Sequence, residues 1–591
     1  MGKDSAWCPL HDPQDQQGAL ASNSSGRPDQ TVERLLQRYG ATDKSCGWCN
    51  SRPMRTKSSP NIILILADDM GYSDLGVMGS EIKTPNIDHM ARGGQLYTSM
   101  YNCARCCPTR ASLLTGLYPH KAGIGHMTAN YGTPAYQGFL RNDAVTLAEV
   151  LRLAGYRTLM SGKWHVGGPY DPREADIWTP GEVGQPTPRQ RGFDRFFGTL
   201  DGAGSFYFPH YIGEDDCRTE ISSGDFYMTD AVTDKAVEMI ETSVGEQKPF
   251  FLYLAYTAPH WPLHAHQDDI ATYRGQYLKG WDYLRTARHE EMLGRGLLEG
   301  NWEISPRDPD ANAWTDTAHH DWEDARMATY SAMVDRMDQG IGKVVRKLKQ
   351  LGVQDDTLIL FLSDNGGCAE FMAEDGWAES YPDIGFDGQK IVAGNLPDLA
   401  PGAGTTFQSY DVAWSNVSNV PFRKHKTWVH EGGISTPMVM CWPNGIKPGG
   451  IIHQARHVTD IMPTILDVSG AQYPADFDGH GIQNLDGESL MPLFHNTCAE
   501  RQQPIYWEHE GNCAMRDGDW KLVKVFRGDW ELYNMRVDRT ELFNLREKNA
   551  PQAKKMIKEF EAWAEKMGVV DWGIIREHPD MDWVKPEKPR A

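Results

Sequence analysis

Runs of consecutive apolar residues alternate with longer amphipathic stretches from residue 60 to about residue 505. An uninterrupted apolar run is typical of a strand buried on both faces, as in a largely parallel sheet covered by helices. The runs predict five strands, at 61–67, 157–162, 249–256, 357–363 and 435–442. Together with the helical stretches between them, they predict an α/β fold with a large mixed, mostly parallel sheet flanked by helices.

The longest amphipathic stretch covers residues 325–352, directly before the fourth predicted strand. Its apolar residues recur at helical spacing, which predicts one long helix with a buried stripe. The stripe consists of Met327, Tyr330, Met333, Met337, Ile341, Val344 and Leu348. We interpret its methionines as core packing rather than as a cofactor-binding face.

The pattern changes at both ends of this region, which we take as a catalytic domain over 60–505. Short predicted strands within 519–526 and 530–535 precede a closing helix near 551–567, which indicates a smaller C-terminal α+β subdomain over 506–591. Residues 1–59 form a polar N-terminal extension with one short predicted helix. Four residues of the extension have zinc-knuckle spacing, with disorder or a disulfide as the alternatives to zinc. They are Cys8, His11, Cys46 and Cys49.

The formal net charge of −21 argues against a nucleic-acid partner and requires a local basic pocket for any anionic substrate. No apolar run is long enough to span a bilayer. The N-terminus lacks the apolar core of a signal peptide, so the chain as written is expected in the cytoplasm, or in the periplasm or outside the cell if its N-terminus is processed. The 11 cysteines do not form the pattern of a disulfide framework.

Polar side chains follow four of the predicted strands at the point where each strand ends. They are Asp68 and Asp69, Lys163 and His165, His260, and Asp364 and Asn365. Each pair alone is typical of a turn or a strand terminus, but ligands of open α/β sheets bind outside the carboxyl ends of the strands, so the four ends together predict one site. Three carboxylates and an amide oxygen suit Ca²⁺ or Mg²⁺, and no zinc-type set of histidines and cysteines accompanies them.

The stretch CARCCPTRASLLTG, at 103–116, concentrates three cysteines ahead of a predicted helix. Pro108 suits a first helical turn and Gly116 a helix end, which puts Cys106 and Cys107 at the helix N-terminus. Such a terminus attracts anions, and Arg110 lies one turn along it. The alternatives are a buried thiol cluster, a disulfide, or soft-metal ligation by the three cysteines of the stretch.

The pattern Cys-x-Pro-Thr-Arg, followed after four residues by Thr-Gly, resembles the signature of the type I, formylglycine-dependent sulfatases, which are arylsulfatase-like members of the alkaline phosphatase superfamily. The resemblance extends from PNIILILADDMGYSDLG through AGYRTLMSGKWHVG, APHWPLHA, LSDNGG and PFRKHKTWVHEGGI to ELYNMRVDRTELFNL. It therefore covers nearly everything after residue 60 and implies an alkaline-phosphatase-like fold.

The resemblance also implies a mechanism. A sulfatase-maturing enzyme would oxidise Cys106 to formylglycine, whose hydrated form carries one hydroxyl that attacks sulfur and a second that expels sulfate from the sulfated-enzyme intermediate. The residues that match the divalent-cation ligands, with Ca²⁺ preferred over Mg²⁺, are Asp68, Asp69, Asp364 and Asn365. Arg110, Lys163 and Lys426 match the residues that hold the diol and the sulfate. His165 matches the base that collapses the intermediate, and His260 matches the acid that protonates the leaving alcohol.

The substrate is expected to be a sulfated small molecule or glycan, and we favour a sulfated carbohydrate, with an aryl sulfate as a poor surrogate. The aromatic side chains predicted for the rim of the pocket lie in the insertion 265–325 and in the loop around Trp414. Those of the insertion are Trp281, Trp302, Trp314, His319 and Trp322. The alternatives are hydrolysis of a phosphonate monoester or phosphodiester by the same fold, or an inactive sulfatase-like binding protein.

Overall fold

The computed structural model describes residues 59–168, 186–219, 221, 225–298, 302–374, 376, 381–385, 388–495 and 499–578. The N-terminal extension, with its predicted helix and its four possible zinc ligands, lies outside the described residues. The strands of the large sheet are β1 (Asn61–Ala67), β2 (Gln95–Tyr101), β3 (Arg157–Lys163), β4 (Arg195–Thr199), β5 (Ile212–Glu214), β6 (Cys217–Thr219), β7 (Phe250–Ala255), β8 (Thr357–Ser363), β11 (Ser435–Cys441), β12 (Gly450–Ile452) and β13 (Arg456–His457). Two short pairs, β9 (Val392–Ala393) with β10 (Thr406–Phe407) and β14 (Asp476–Phe477) with β15 (His480–Gly481), lie outside it.

The large sheet is mostly parallel, which confirms the predicted fold class. Its strand order is β12-β2-β11-β8-β1-β7-β3-β4-β5-β6, with β13 also paired to β2. The strands β8, β1, β7, β3 and β4 run parallel, whereas β11 is antiparallel to both of its neighbours. All five strands predicted from the apolar runs are present, and they are consecutive in the order β11-β8-β1-β7-β3 at the centre of the sheet.

Two hydrophobic cores lie on opposite faces of this sheet, and alternate residues of β1 enter each of them. Ile63 and Ile65 belong to one core, whereas Ile62, Leu64 and Leu66 belong to the other. The covering helices are α1 (Pro85–Gly93), α2 (Cys106–Thr115), α3 (Pro119–Ala122), α4 (Leu147–Leu153), α5 (Met228–Gly245), α6 (Gln267–Tyr273), α7 (Trp281–Gly294), α8 (His320–Gln350), α9 (Asp411–Ser418), α10 (Glu431–Ile434) and α11 (Ile461–Ser469). The predicted long helix is α8, and its methionine stripe is buried in the core as expected.

The C-terminal subdomain contains a second, antiparallel sheet of β16 (Ile505–His509), β17 (Asn512–Asp517), β18 (Trp520–Lys524) and β19 (Glu531–Asn534), followed by α12 (Ala550–Met567) and α13 (Trp572–Ile575). Buried ionic contacts attach it to α10, the short helix directly before β11 of the large sheet, since Lys521 and Arg539 each donate to Glu431 at 2.8 Å. Burial opposes ionisation of Glu431, but these two cations outweigh it and lower its pKa to about 2.

The parallel strands β1, β3, β7 and β8 end at the same edge of the sheet, so the residues that follow them are neighbours in space. Those residues include Asp68, Lys163, His260 and Asp364, as the sequence predicts. Among the residues that the structure describes, no helix combines the length and apolar character needed to cross a membrane.

Candidate active site

The predicted cation ligands converge at the ends of β1 and β8. Asn365 Nδ2 donates to Asp69 Oδ1 at 2.7 Å, and the backbone N–H of Asp69 donates to Asp364 Oδ1 at 3.2 Å. Asp68, Asp69, Asp364 and Asn365 are at most 1% exposed. Asp69 adopts a left-handed backbone with φ of 67°, which non-glycine residues rarely adopt outside functional sites and turns.

These ligands fit a hard divalent cation. Oδ1 of Asp68 and Oδ1 of Asn365 are buried and lack a hydrogen-bond partner among the described residues, a costly state that a bound cation would relieve. Burial raises the pKa of Asp364 well above its usual value, and the neighbouring Asp68 carboxylate raises it further. A set of carboxylate and amide oxygens is what Ca²⁺ and Mg²⁺ prefer, so the residues present fit the predicted metal.

Three buried cationic side chains oppose this acidic group. Lys163 Nζ lies 2.5 Å from Asp68 Oδ2, Arg110 Nη2 lies 2.8 Å from Asp364 Oδ2, and Lys426 Nζ lies 2.8 Å from Asp69 Oδ2. Burial alone would lower the pKa of Lys163, but the negative charges of Asp68, Cys106 and Asp364 together raise that pKa above its usual value. The site therefore combines cation ligands with a local basic pocket inside an acidic protein.

Cys106 is the first residue of α2, a helix in which every residue is buried. A hydrogen bond from Cys107 and the charge of Lys163 hold the pKa of the Cys106 thiol well below its usual value, although burial opposes this. The sulfur atoms of Cys106 and Cys107 and a ring nitrogen of His165 lie within 4.8 Å of one another. No disulfide links the described cysteines, and Cys103 instead contacts Ser112 and His457 at 3.4 and 3.6 Å.

The two predicted catalytic histidines face the same site. His165 follows β3 and has a left-handed backbone with φ of 56°. Residue 202 must be glycine, because a Cβ atom there would lie 2.4 Å from the His165 ring. Burial lowers the pKa of His165 to about 4. Nδ1 of His260 lies 2.6 Å from the carbonyl oxygen of Trp261, while Nε2 lies 3.3 Å from Lys426 Nζ. Burial lowers the pKa of His260 as well, although Asp69 opposes this shift.

Two further residues of the site were missed by sequence reasoning. Glu370 accepts a hydrogen bond from Trp261 Nε1 at 2.7 Å and lies 3.1 Å from Arg105 and 3.4 Å from Lys426. Arg105 also donates to Thr427 at 2.7 Å. Burial opposes ionisation of Glu370, but Lys426 and Arg105 lower its pKa. The sequence offered only one signal for each residue: Arg105 directly precedes Cys106, and Glu370 follows shortly after Asp364 and Asn365.

The prediction that Trp414 contacts substrate is wrong. Trp414 is 0% exposed, its indole N–H donates to Glu323 at 3.0 Å, and its ring packs against Trp281 in the core. Trp281 and Trp302 of the insertion are also buried, whereas Trp314 and Trp322 are half-buried and His319 is exposed. Trp281 and Trp314 pack against Trp414 of α9, whereas the indole N–H of Trp302 donates to the backbone carbonyl oxygen of Arg536 at 3.3 Å.

A pocket lies beside the two histidines instead. The residues that line it include Thr199, Asp201, Ser205, His210, Tyr211 and Thr257. Gly202, which contacts His165, lies within its lining segment, and the carbonyl oxygen of Thr257 accepts the backbone N–H of His260 at 3.1 Å. Gly202 and Thr257, which follow β4 and β7, thus connect this pocket to His165 and His260.

Comparison with known proteins shows the family to which the chain belongs. The sulfatase family model matches residues 60–471, and the model described as N-sulphoglucosamine sulphohydrolase, C-terminal, matches residues 423–567. An uncharacterised sulfatase of Schizosaccharomyces pombe is 32% identical, and the matched region covers 79% of this chain and 85% of that protein. The arylsulfatase of Klebsiella aerogenes is 33% identical, and the matched region covers 70% of this chain and 87% of that protein. The solved structure of Ps i-CgsB in complex with k-i-k-neocarrahexaose is 26% identical with a TM-score of 0.60, covering 89% of this chain and 100% of that one.

The fold and the site together define a hydrolase of the alkaline phosphatase superfamily. Within it, the chain belongs to the sulfatase family and is a sulfuric ester hydrolase. Members of this family generally use formylglycine and a metal ion. The fold class and the enzyme class predicted from the sequence are thereby confirmed.

Proposed function

We propose that the protein hydrolyses sulfate esters of a carbohydrate with formylglycine, formed from Cys106, as its nucleophile. The observation that carries the proposal is the position of Cys106 at the buried N-terminus of α2, next to His165 and within the electrostatic influence of Lys163. A hydrated aldehyde at this position has two hydroxyls. One forms a bond to sulfur as the alcohol leaves, and loss of the proton of the other breaks the C–O bond to sulfate and regenerates the aldehyde.

The charged residues around Cys106 have separate tasks in this proposal. Arg110 and Lys163 stabilise the diol and the transferring sulfate, and Lys426 binds a further sulfate oxygen, because each carries a buried positive charge near the site. Asp68, Asp69, Asp364 and Asn365 hold Ca²⁺, or Mg²⁺ as the alternative. The bound cation supplies Lewis-acid polarisation of a sulfate oxygen.

The two histidines carry the proton transfers. His165 takes the proton of the second diol hydroxyl, a task for which it must be neutral, and its lowered pKa keeps it neutral near pH 7. His260 donates a proton from Nε2 to the leaving alcohol oxygen, a task for which its ring must be protonated, and the carboxylate of Asp69, 3.4 Å from Nε2, favours that form against the effect of burial. The carbonyl oxygen of Trp261 holds Nδ1 of its ring and so orients Nε2 toward the site.

Two observations support a carbohydrate substrate. The opening near His165 and His260 is lined by Asp201, Ser205, His210 and other polar groups of the kind that hydrogen-bond sugar hydroxyls. In addition, the structurally similar Ps i-CgsB was solved with a neocarrahexaose, an oligosaccharide by its name.

The proposed function is tested by two measurements on one preparation, made in cells with a sulfatase-maturing enzyme. The mass of the proteolytic peptide that contains Cys106 is expected to show an aldehyde in place of the thiol. Turnover is then compared among sulfated sugars, an aryl sulfate and the matching aryl phosphonate and phosphodiester. We expect the fastest turnover on a sulfated sugar. An intact thiol, or a preference for the phosphorus esters, would overturn the proposal.

A second prediction concerns the pH dependence that His165 sets. Because the neutral form is active and burial lowers the pKa to about 4, kcat/KM should not fall through this residue until the pH drops from about 5 toward 4. Replacing His165 with Gln should lower kcat by about 10²–10⁴-fold and remove that acid limb. The same substitution at His264 is the matched control. His264 is also buried with a pKa of about 4, but its ring hydrogen-bonds to the backbone of Thr406 instead of facing Cys106. An acid limb that survives in the His165→Gln variant would contradict the assignment.

A further inference from the structure

A second cluster of metal-ligating side chains lies where the loop after α3 meets the turn between β16 and β17. It consists of His126, His509 and Glu510, whose donor atoms all lie within 4.8 Å of one another. His126 and His509 are 1% and 0% exposed, and the Glu510 side chain is 24% exposed. None of the three has a task in the proposed mechanism, and their burial requires an explanation.

The turn that carries the cluster is locally unfavourable. His509 and Asn512 are the last paired residues of the hairpin, and both central residues have positive φ, 52° at Glu510 and 75° at Gly511. Two-residue turns of this type favour Asn, Asp or Gly at the first central position, not Glu. Glu508 Oε1 accepts the Gly511 N–H at 2.7 Å and so helps to hold the turn. A residue that conflicts with its local conformation is typical of a site where the side chain is needed.

The separations of the donor atoms fit a shared ion. Glu510 Oε1 lies 3.2 Å from His126 Nε2 and 3.5 Å from His509 Nε2. Charge-assisted N–H···O bonds are shorter, at about 2.7–2.9 Å. Ligands of one tetrahedral zinc ion, with bonds of about 2.0–2.2 Å, are separated from each other by about 3.4 Å. The observed distances are therefore closer to those between ligands of one metal than to those of direct ion pairs.

The imidazoles are prepared for coordination. His126 is 1% exposed, so water has little access to its ring nitrogens. Tyr131 Oη lies 3.4 Å from the other ring nitrogen, Nδ1, where metal-bound histidines usually have an oxygen partner. Neither ring nitrogen of His509 has a hydrogen-bond partner among the described residues, although the residue is fully buried. Coordination would satisfy one of these two nitrogens.

We propose that His126, His509 and Glu510 bind one zinc ion, which fastens the β16–β17 turn of the C-terminal subdomain to the loop after α3. Two imidazoles and one carboxylate are a zinc ligand set and a poor one for Ca²⁺, so this site is distinct from the oxygen site at Asp68 and Asp364. The proposal does not depend on the proposed reaction, because none of its residues acts in that chemistry.

The test uses the full-length protein, stripped of metal and dialysed against calcium with micromolar zinc, and counts zinc and calcium per chain by elemental analysis. Relative to the unsubstituted chain, Glu510→Gln and His509→Asn are each expected to weaken zinc binding by more than about tenfold, since loss even of an outer partner costs that much. The Cys46→Ser/Cys49→Ser double variant should retain this zinc, because neither cysteine belongs to the proposed ligand set. Calcium content should be the same in all of them.

Replacement of zinc by Co²⁺ provides a spectroscopic control. The cobalt site is expected to show the visible bands of a four-coordinate ion, without the near-ultraviolet charge transfer of a thiolate, and Glu510→Gln should abolish or shift them. Glu510→Gln preserves side-chain size at a partly exposed turn, so its circular dichroism should match that of the unsubstituted chain. Failure of the unsubstituted chain to bind zinc, or unchanged zinc affinity in both variants, would overturn the proposal.

Discussion

Replacing Cys106 with alanine is expected to lower kcat for sulfate ester hydrolysis by about four to six orders of magnitude, as loss of an enzyme nucleophile does. The side chain lies at the N-terminus of α2 beside Lys163, and a methyl group there can form no bond to sulfur. The remaining rate would come from binding and from the charges of the site alone. Steady-state turnover of an aryl sulfate, with enzyme concentration corrected for folded protein, measures the effect.

Cys107→Ala is the matched control for this variant. Cys107 is the next residue of the same helix and is equally buried, but burial raises its thiol pKa well above the usual value. It also occupies a variable place in the sulfatase signature. We expect the kcat of the Cys107→Ala variant to stay within about tenfold of the kcat of the unsubstituted enzyme. Comparable losses in both variants would show that the helix terminus, not the residue at 106, determines activity.

Replacing Asp68 with asparagine should reduce both activity and stability. Asp68 is a proposed cation ligand and also the partner of Lys163 at 2.5 Å, so the change weakens metal binding and leaves a buried ammonium without its carboxylate. Removal of one partner of a buried ion pair costs about 3–5 kcal/mol of unfolding free energy. Loss of the Lewis acid, which contributes several kcal/mol to the transition state, should lower kcat by about three orders of magnitude. Denaturant unfolding, calcium content and turnover measure the three effects.

Asp74→Asn separates the two effects of that change. Asp74 is also fully buried and pairs with an arginine, since Arg288 lies 2.7 Å from it, but it belongs to no cation-binding set. The control should therefore lose stability to a similar extent and keep its calcium and most of its kcat. If the Asp68 variant retained full calcium content and kcat, the assignment of Asp68 as a ligand would be wrong.

Much of the active site was predictable because its residues carry local signals. Asp68 and Asp364 each follow an apolar run directly, and parallel strands place the residues after them at one edge of the sheet. Cys106 is positioned by the start of its own helix. In contrast, the apolar pattern did not predict β2, although all seven of its residues are buried, because QLYTSMY contains polar residues such as Gln95 and Thr98, which hydrogen-bond to the backbone of distant segments.

The sequence by itself determined the central strands, the residues at their carboxyl ends and the position of Cys106 at the start of a helix, because each depends on neighbours within a few positions along the chain. Tertiary structure alone decided that Trp414 packs in the core, since a tryptophan suits a core and a sugar-binding rim equally well. It also decided that Glu370 meets Arg105 and that His126 meets Glu510, a contact across 384 positions. Such contacts depend on how separate elements pack, and no local pattern of residues specifies that packing.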